Sequence, residues 1–256
     1  DAQGLFRSGL FTRITGAQVR VGFANAWEGA WIFYSHRAQL PKTPQVAVVR
    51  MRALLTPLGI DARQPAEAQV PISPAAKAKI RAMLKPGGYI VIVPGARWDT
   101  KRWSSAGFAT VAARLIDAGR QVVLAGSPAE RSLCEEVKLQ ASSDADALHN
   151  LAGQTSLAEM IALLAGATLI LGNDSGPLHV AVGLNRPTVS IYGPTDPNLV
   201  GPYGQLEHVI RHPVDCHPCR RHTCDHHSCM AGVTTEIVWE KIKQRLAECA
   251  ALPDNC

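Results

Sequence analysis

No apolar run in this 256-residue sequence approaches the roughly 18 residues that a membrane-spanning helix needs. The opening segment, DAQGLFRSG, has no basic start followed by an apolar core, so no secretory signal is expected there. It also has no initiator methionine. Without a signal, the seven cysteines are not expected to form a disulfide framework. Lysine and arginine outnumber aspartate and glutamate by 26 to 21, for a net charge of +5. Yet the sequence has no Lys/Arg run and no stacking or groove-reading element, which argues against a nucleic-acid partner. The mild excess suits an anionic substrate or the anionic inner leaflet of a membrane. What is plentiful is apolar side chain: 46% hydrophobic residues can bury the core of one large or two modest α/β domains.

From residue 89 onward short apolar runs alternate with helical patterns. YIVIVPGA (89–96), QVVLAGS (121–127), TLILGND (168–174) and PTVSIYG (187–193) read as strands. SAGFATVAARLIDAG (105–119), PAERSLCEEVKLQ (128–140), SLAEMIALLAGA (156–167) and PLHVAVGLN (177–185) read as helices. Ser156 with Glu159 three residues on has capping-box spacing. This alternation indicates a parallel sheet covered on both faces. Before residue 80 the pattern is weaker: a helix over 4–15, one strand over 18–25, and a helix from about Val46. The Pro- and Ala-rich stretch 66–79 reads as a linker. The expected organisation is an N-terminal part at 1–82, a nucleotide-binding domain at 83–233 and a long amphipathic helix at 234–256.

Ligands of an open α/β sheet bind beyond the carboxyl ends of its strands. Three notable segments lie at such ends: PGARWDTKRW (94–103), GSPAER (126–131) and NDSGPLH (173–179). In the last, Pro177 suits a first helical position, and Gly176 permits close approach of a ligand. Free N–H groups and the helix dipole there make an anion site, with His179 able to donate to a phosphate. The same residues also describe an ordinary capped helix with a buried, satisfied histidine. Lys101 could reach the same phosphates, or be a solvated loop cation. Glu130 could take ribose hydroxyls, or simply favour a helix start.

Together the strings D-S-G-P-x-H-x-A, R-P-T-V-x-x-Y-G-P-T-D-P and P-G-A-x-W-x-x-K-R-W resemble glycosyltransferase family 9, the ADP-heptose:lipopolysaccharide heptosyltransferases. DAQGLFRSGL (1–10) and NLAGQTSLAEM (150–160) are similar to it as well, so the resemblance covers essentially the whole chain. It implies an α/β fold of GT-B type: two Rossmann-like doubly wound domains, the N-terminal one incomplete here. It implies a donor site in which Lys101, Asp174, Ser175, Gly176 and His179 hold the pyrophosphate and heptose of ADP-heptose. Glu130 would take the ribose and Thr155 would lie by the adenine. Ala96 and Arg97 stand where the family often has hydroxyl side chains near the phosphates. The implied reaction transfers heptose to a lipid A/Kdo-type anionic acceptor, with inversion, without a metal or other cofactor. It would occur in the cytoplasm, at the inner face of the inner membrane of a Gram-negative bacterium.

An inverting transferase needs a base for the acceptor hydroxyl. The family's aspartate base is expected upstream of residue 1, so no residue here is given that role, Asp1 included. Relatives often carry Arg before the Glu matching Trp27-Glu28, and a His where this sequence has Val46. Those differences touch the acceptor side, where Arg7, Arg37 and Arg50 remain as anion contacts. A non-catalytic nucleotide-sugar-binding module, or a member using another nucleotide sugar, is the alternative.

The segment CHPCRRHTCDHHSC spaces Cys216, Cys219, Cys224 and Cys229 as C-x2-C-x4-C-x4-C. Four thiolates suit a structural zinc, and an iron–sulfur cluster is conceivable. A reduced compact loop beneath the last helix is the plain alternative. A similar segment recurs in some members of the family. If a metal is held, the expectation is a structural site away from the chemistry.

Overall fold

The computed structural model describes residues 1–40, 45–61, 69–141 and 147–251. The chain divides into two compact units: residues 1–66 with 198–203, and residues 67–197 with 204–256.

In the first unit, α1 (Phe6–Ile14) precedes β1 (Val21–Phe23), β2 (His36–Ala38) and α2 (Ala47–Arg52), which continues as a 3-10 turn over Ala53–Leu58. The sequence predicts one strand here; the structure has two, paired in parallel. His36–Ala38 is three residues long with two exposed side chains, too short and too polar to show a period. Asp1 organises this unit. Its carboxylate accepts from Tyr34 Oη at 2.6 Å and Ser8 Oγ at 2.8 Å. The Tyr34 ring lies against Gly22, where a Cβ would strike it.

The second unit holds six parallel strands in the order β5-β4-β3-β6-β7-β8. They are β3 (Tyr89–Val93), β4 (Gln121–Leu124), β5 (Leu148–Asn150), β6 (Leu169–Asn173), β7 (Thr188–Ile191) and β8 (Val209–Ile210). The helices are α3 (Pro74–Met83), α4 (Ser105–Asp117), α5 (Arg131–Ala141), α6 (Leu157–Gly166) and α7 (Gly176–Gly183), then, after the short α8 (Pro197–Val200) whose residues 198–200 belong to the first unit, the short α9 (Ser228–Ala231) and α10 (Thr235–Ala251). Residues 74–79, read as linker from the sequence, thus begin a helix of this unit, capped by Ser73. The chain winds outward from β3 to β5, returns to the middle, and winds outward again from β6 to β8. That order makes β3 and β6 the point where the winding reverses, the usual ligand crevice of such sheets.

Successive strand residues face opposite sides, and here both sides are buried. Ile90, Ile92, Val122, Leu124, Leu169 and Leu171 form one core with Phe108 and Leu115 of α4 and Val238 and Ile242 of α10. Val91, Val93, Val123 and Ile170 are equally buried on the other side. Burial on both faces explains the near-continuous apolar runs that mark these strands in the sequence. The α/β, GT-B-type fold expected from the sequence is the fold observed.

Candidate nucleotide site at the winding reversal

β3 pairs with β6 so that Val93 lies opposite Gly172. The loops that leave these strands therefore start side by side. Asn173, fully buried, ties them together. Its Nδ2 donates to the Pro94 carbonyl at 2.8 Å, and its Oδ1 accepts from the Trp103 amide at 3.1 Å. One amide side chain thus pins both ends of loop 94–103. Sequence reasoning passed over Asn173, although it adjoins Asp174 in the strand-end motif.

The pinned loop turns through Asp99–Lys101 and delivers Lys101 to Asp174. Nζ and Oδ2 are 2.6 Å apart, and both side chains are largely buried. Thr195 Oγ1 donates to the same Oδ2 at 2.7 Å. His179 Nε2 stands 3.6 Å from Oδ1, beyond a firm hydrogen bond. Burial pushes the Asp174 carboxyl up, but His179, Lys101 and Thr195 together outweigh it and hold the group below its ordinary value. Asp174 is therefore a fixed anion that orients a cation, a hydroxyl and an imidazole.

Ser175 is the N-cap of α7 in extended backbone, yet its hydroxyl caps nothing. Its Oγ is buried without a partner. Gly176 opens the helix, and a Cβ there would meet only open space. Pro177 comes next, one position later than the sequence suggests. His179 remains 43% exposed in the first turn, not the buried, satisfied histidine of the plain reading. Thr155 Oγ1 is likewise buried and unpartnered. Unpaired buried hydroxyls are rare and call for an occupant.

Glu130 closes a capping box with Ser127. Its Oε2 accepts from the Ser127 amide at 2.7 Å and hydroxyl at 2.8 Å. Its Oε1 lies over the Gly95 backbone, where any Cβ would collide with it. The helix-start role is thus real, and it also fixes one carboxylate oxygen between the ends of β3 and β4. Ala96 is buried, its carbonyl accepting from Arg102 Nε at 3.0 Å, whereas Arg97 is exposed.

The Cys-rich segment touches these loops. The His222 ring lies on the Trp98 ring, centroids 3.8 Å apart. Burial pushes the Cys229 thiol up, and the neighbouring Cys219, Cys216 and Cys224 push it further. Among the described residues no group of three His, Cys, Asp or Glu side chains is arranged to hold a metal ion. Cys249, outside this cluster, is disulfide-bonded. In the first unit, Arg37 lies over the Trp31 ring at 4.7 Å. Glu28 Oε2 accepts from the Phe6 amide at the start of α1.

A doubly wound sheet with a cation, a helix start and unpaired hydroxyls at its reversal point is the arrangement of a nucleotide-binding domain. The match to the family described as "Glycosyltransferase family 9 (heptosyltransferase)" runs over residues 1–229, and the chain belongs to that family. It is 41% identical over 120 residues to lipopolysaccharide heptosyltransferase 2 of Escherichia coli K12, covering 46% of this chain and 34% of the relative. It is 33% identical over 225 residues to lipopolysaccharide heptosyltransferase 1 of Pseudomonas aeruginosa, covering 81% of this chain and 57% of the relative. The chain thus spans about a third to somewhat over half the length of these relatives. E. coli heptosyltransferase WaaC with ADP matches its fold with a TM-score of 0.71 at 27% identity, covering 96% of this chain and 71% of that one.

Proposed function

We propose that the chain carries the donor side of a glycosyltransferase that moves heptose from ADP-heptose to an anionic lipopolysaccharide inner-core acceptor. The observation that carries this is the unpartnered Ser175 hydroxyl beside the Lys101–Asp174 pair at the start of α7. A diphosphate would satisfy that hydroxyl, the free N–H groups of the helix start and the Lys101 charge at once. His179, exposed in the first turn, donates to a phosphate oxygen. Asp174 keeps Lys101 and His179 oriented. Glu130 Oε1 faces the ribose, and the Thr155 hydroxyl the adenine. The ADP of the structural relative and the names of the curated relatives support this donor.

In this reading Lys101, His179 and the helix dipole stabilise the ADP that leaves in place of a metal, while the acceptor oxygen bonds to the anomeric carbon from the opposite face as the bond to ADP breaks, which inverts the sugar. No residue here is assigned as the acceptor's base. Arg7, Arg37 and Arg50 would meet the anionic acceptor, of lipid A/Kdo type. Among the described residues no helix is long and apolar enough to cross a membrane. We place its work at the cytoplasmic face of a Gram-negative inner membrane, by peripheral contact, because the names of its relatives point to a lipopolysaccharide acceptor.

Cys216, Cys219, Cys224 and Cys229 offer an all-sulfur set for a structural zinc or iron, but such an ion would have to draw them closer. Metal analysis of untagged protein tests this: less than a tenth of an equivalent of zinc or iron with all four thiols titratable would sink it.

A thermal-shift screen of nucleotide sugars tests the donor. Ligands that bind only the folded state raise stability with concentration. ADP-heptose and ADP should give the largest shifts. A preference for a uridine sugar would replace the donor. ADP binding with no transfer in the presence of acceptor would favour a non-catalytic nucleotide-sugar-binding module.

A further inference from the structure

Residues 215–227 contain no helix or strand, yet they touch both walls of the diphosphate clamp. On one wall, His222 stacks on Trp98, tilted by 32°, and Lys101 Nζ lies 4.3 Å above the centre of that Trp98 ring. Beside it, Thr100, 3% exposed, donates from Oγ1 to the Arg221 carbonyl at 2.7 Å. On the other wall, His217 Nε2 donates to the Thr195 carbonyl at 3.0 Å, and the Arg220 amide donates to the Pro194 carbonyl at 2.9 Å. Thr195 is the residue whose hydroxyl holds Asp174. All four touching residues, 217 and 220–222, lie between Cys216 and Cys224. Cys229 anchors the far end in the core, packed with Met230 against Gly193.

The Trp98 ring carries two contacts on its faces, His222 and Lys101. With Lys101 over the ring and His222 against it, the indole is a spacer between the Cys-rich loop and the clamp's cation. We propose that the Cys-rich loop is a positioning element for donor binding: held by Cys229 in the core and by the His227 amide donating to Cys224 Sγ, it sets Trp98 and Thr195, and through them Lys101 and Asp174. His222 is the positioning residue; it touches neither donor nor acceptor. This rests on the donor site proposed above.

The consequence is selective. Losing the loop's grip should weaken ligands that use the clamp and spare those that use only the nucleoside end. Calorimetry with ADP and with adenosine reads this directly, on the full chain. His222→Ala should weaken ADP about threefold to tenfold, the worth of an aromatic contact, and leave adenosine unchanged. His222→Phe, which keeps a ring on Trp98, should restore ADP binding. Cys219→Ser/Cys224→Ser should weaken ADP in the same selective way. Wild-type ADP affinity in either His222→Ala or the double cysteine variant, with Lys101→Ala weakened, overturns the proposal and leaves the donor site standing. Equal loss of ADP and adenosine also overturns it, because general unfolding of the loop region would act on both. Unchanged ADP binding in Lys101→Ala instead removes the donor site itself.

Discussion

Lys101 and Asp174, 73 residues apart in sequence, meet at 2.6 Å at the carboxyl ends of β3 and β6. The pair is shielded from water, so it is firmer than an exposed ion pair, though still costly to desolvate. Asp174 and its other neighbour, His179, are expected to differ on mutation. Asp174→Ala leaves the buried Lys101 and Thr195 without an acceptor and should lower both stability and nucleotide affinity. His179→Ala removes an exposed ring and should weaken ADP by about 1–3 kcal/mol with little effect on the melting temperature. Calorimetry and thermal melts on the two variants separate these outcomes.

The pH dependence of stability follows from the same carboxylate. An unfolded aspartate titrates near 3.8, and folded Asp174 titrates lower. Its contribution is therefore complete above 3.8 and is lost as pH falls through the folded value. Denaturant titrations of the wild type and Asp174→Asn should show a gap that is constant near neutrality and shrinks below 3.8. A gap of equal size at all pH values would contradict the ionised pair.

Asn173 is expected to matter more for folding than its neighbours' chemistry suggests. Asn173→Leu leaves the Pro94 carbonyl and the Trp103 amide buried without partners, each loss costing about 1–3 kcal/mol. Denaturant unfolding should show a drop of that order. ADP affinity should also fall, because loop 94–103 loses its pin. Wild-type stability would show that water replaces the side chain.

Gly95→Ala is the sharpest test of the Glu130 placement. The new Cβ would collide with Oε1, so Glu130 must turn away or the loop must shift. Affinity for ADP should fall while Gly95→Ala/Glu130→Ala recovers stability. A neutral Gly95→Ala would place Glu130 elsewhere.

The sheet was largely legible because β3, β4, β6 and β7 are buried on both faces, which leaves uninterrupted apolar runs. β2, β5 and β8 have two or three residues each, too few to carry a period, and they went unread. Within the candidate site, Lys101, Gly176 and His179 could be placed from the loops at strand ends, whereas Asp174 and Ser175 entered only through the family resemblance. Thr195 stood in the quoted GPTDP string without a role, since nothing in one dimension says that its hydroxyl reaches a residue 21 positions back. His222 on Trp98 was invisible for the same reason: stacking across 124 residues depends on the course of a loop without regular structure. The four cysteines drew attention as metal ligands, which hid the contacts made by the residues between them.

The central claim is that the start of α7, with Lys101 opposite, holds a diphosphate. Isothermal titration of ADP, AMP and adenosine into wild type, Lys101→Ala and Ser175→Ala tests it most directly. The account predicts tighter binding of ADP than of AMP or adenosine in the wild type. It predicts loss of most of that advantage in Lys101→Ala, and a loss of about 1.5–3 kcal/mol, one hydrogen bond to a charged oxygen, in Ser175→Ala. Equal affinity for ADP and adenosine in the wild type, or an unchanged ADP advantage in Lys101→Ala, would contradict it.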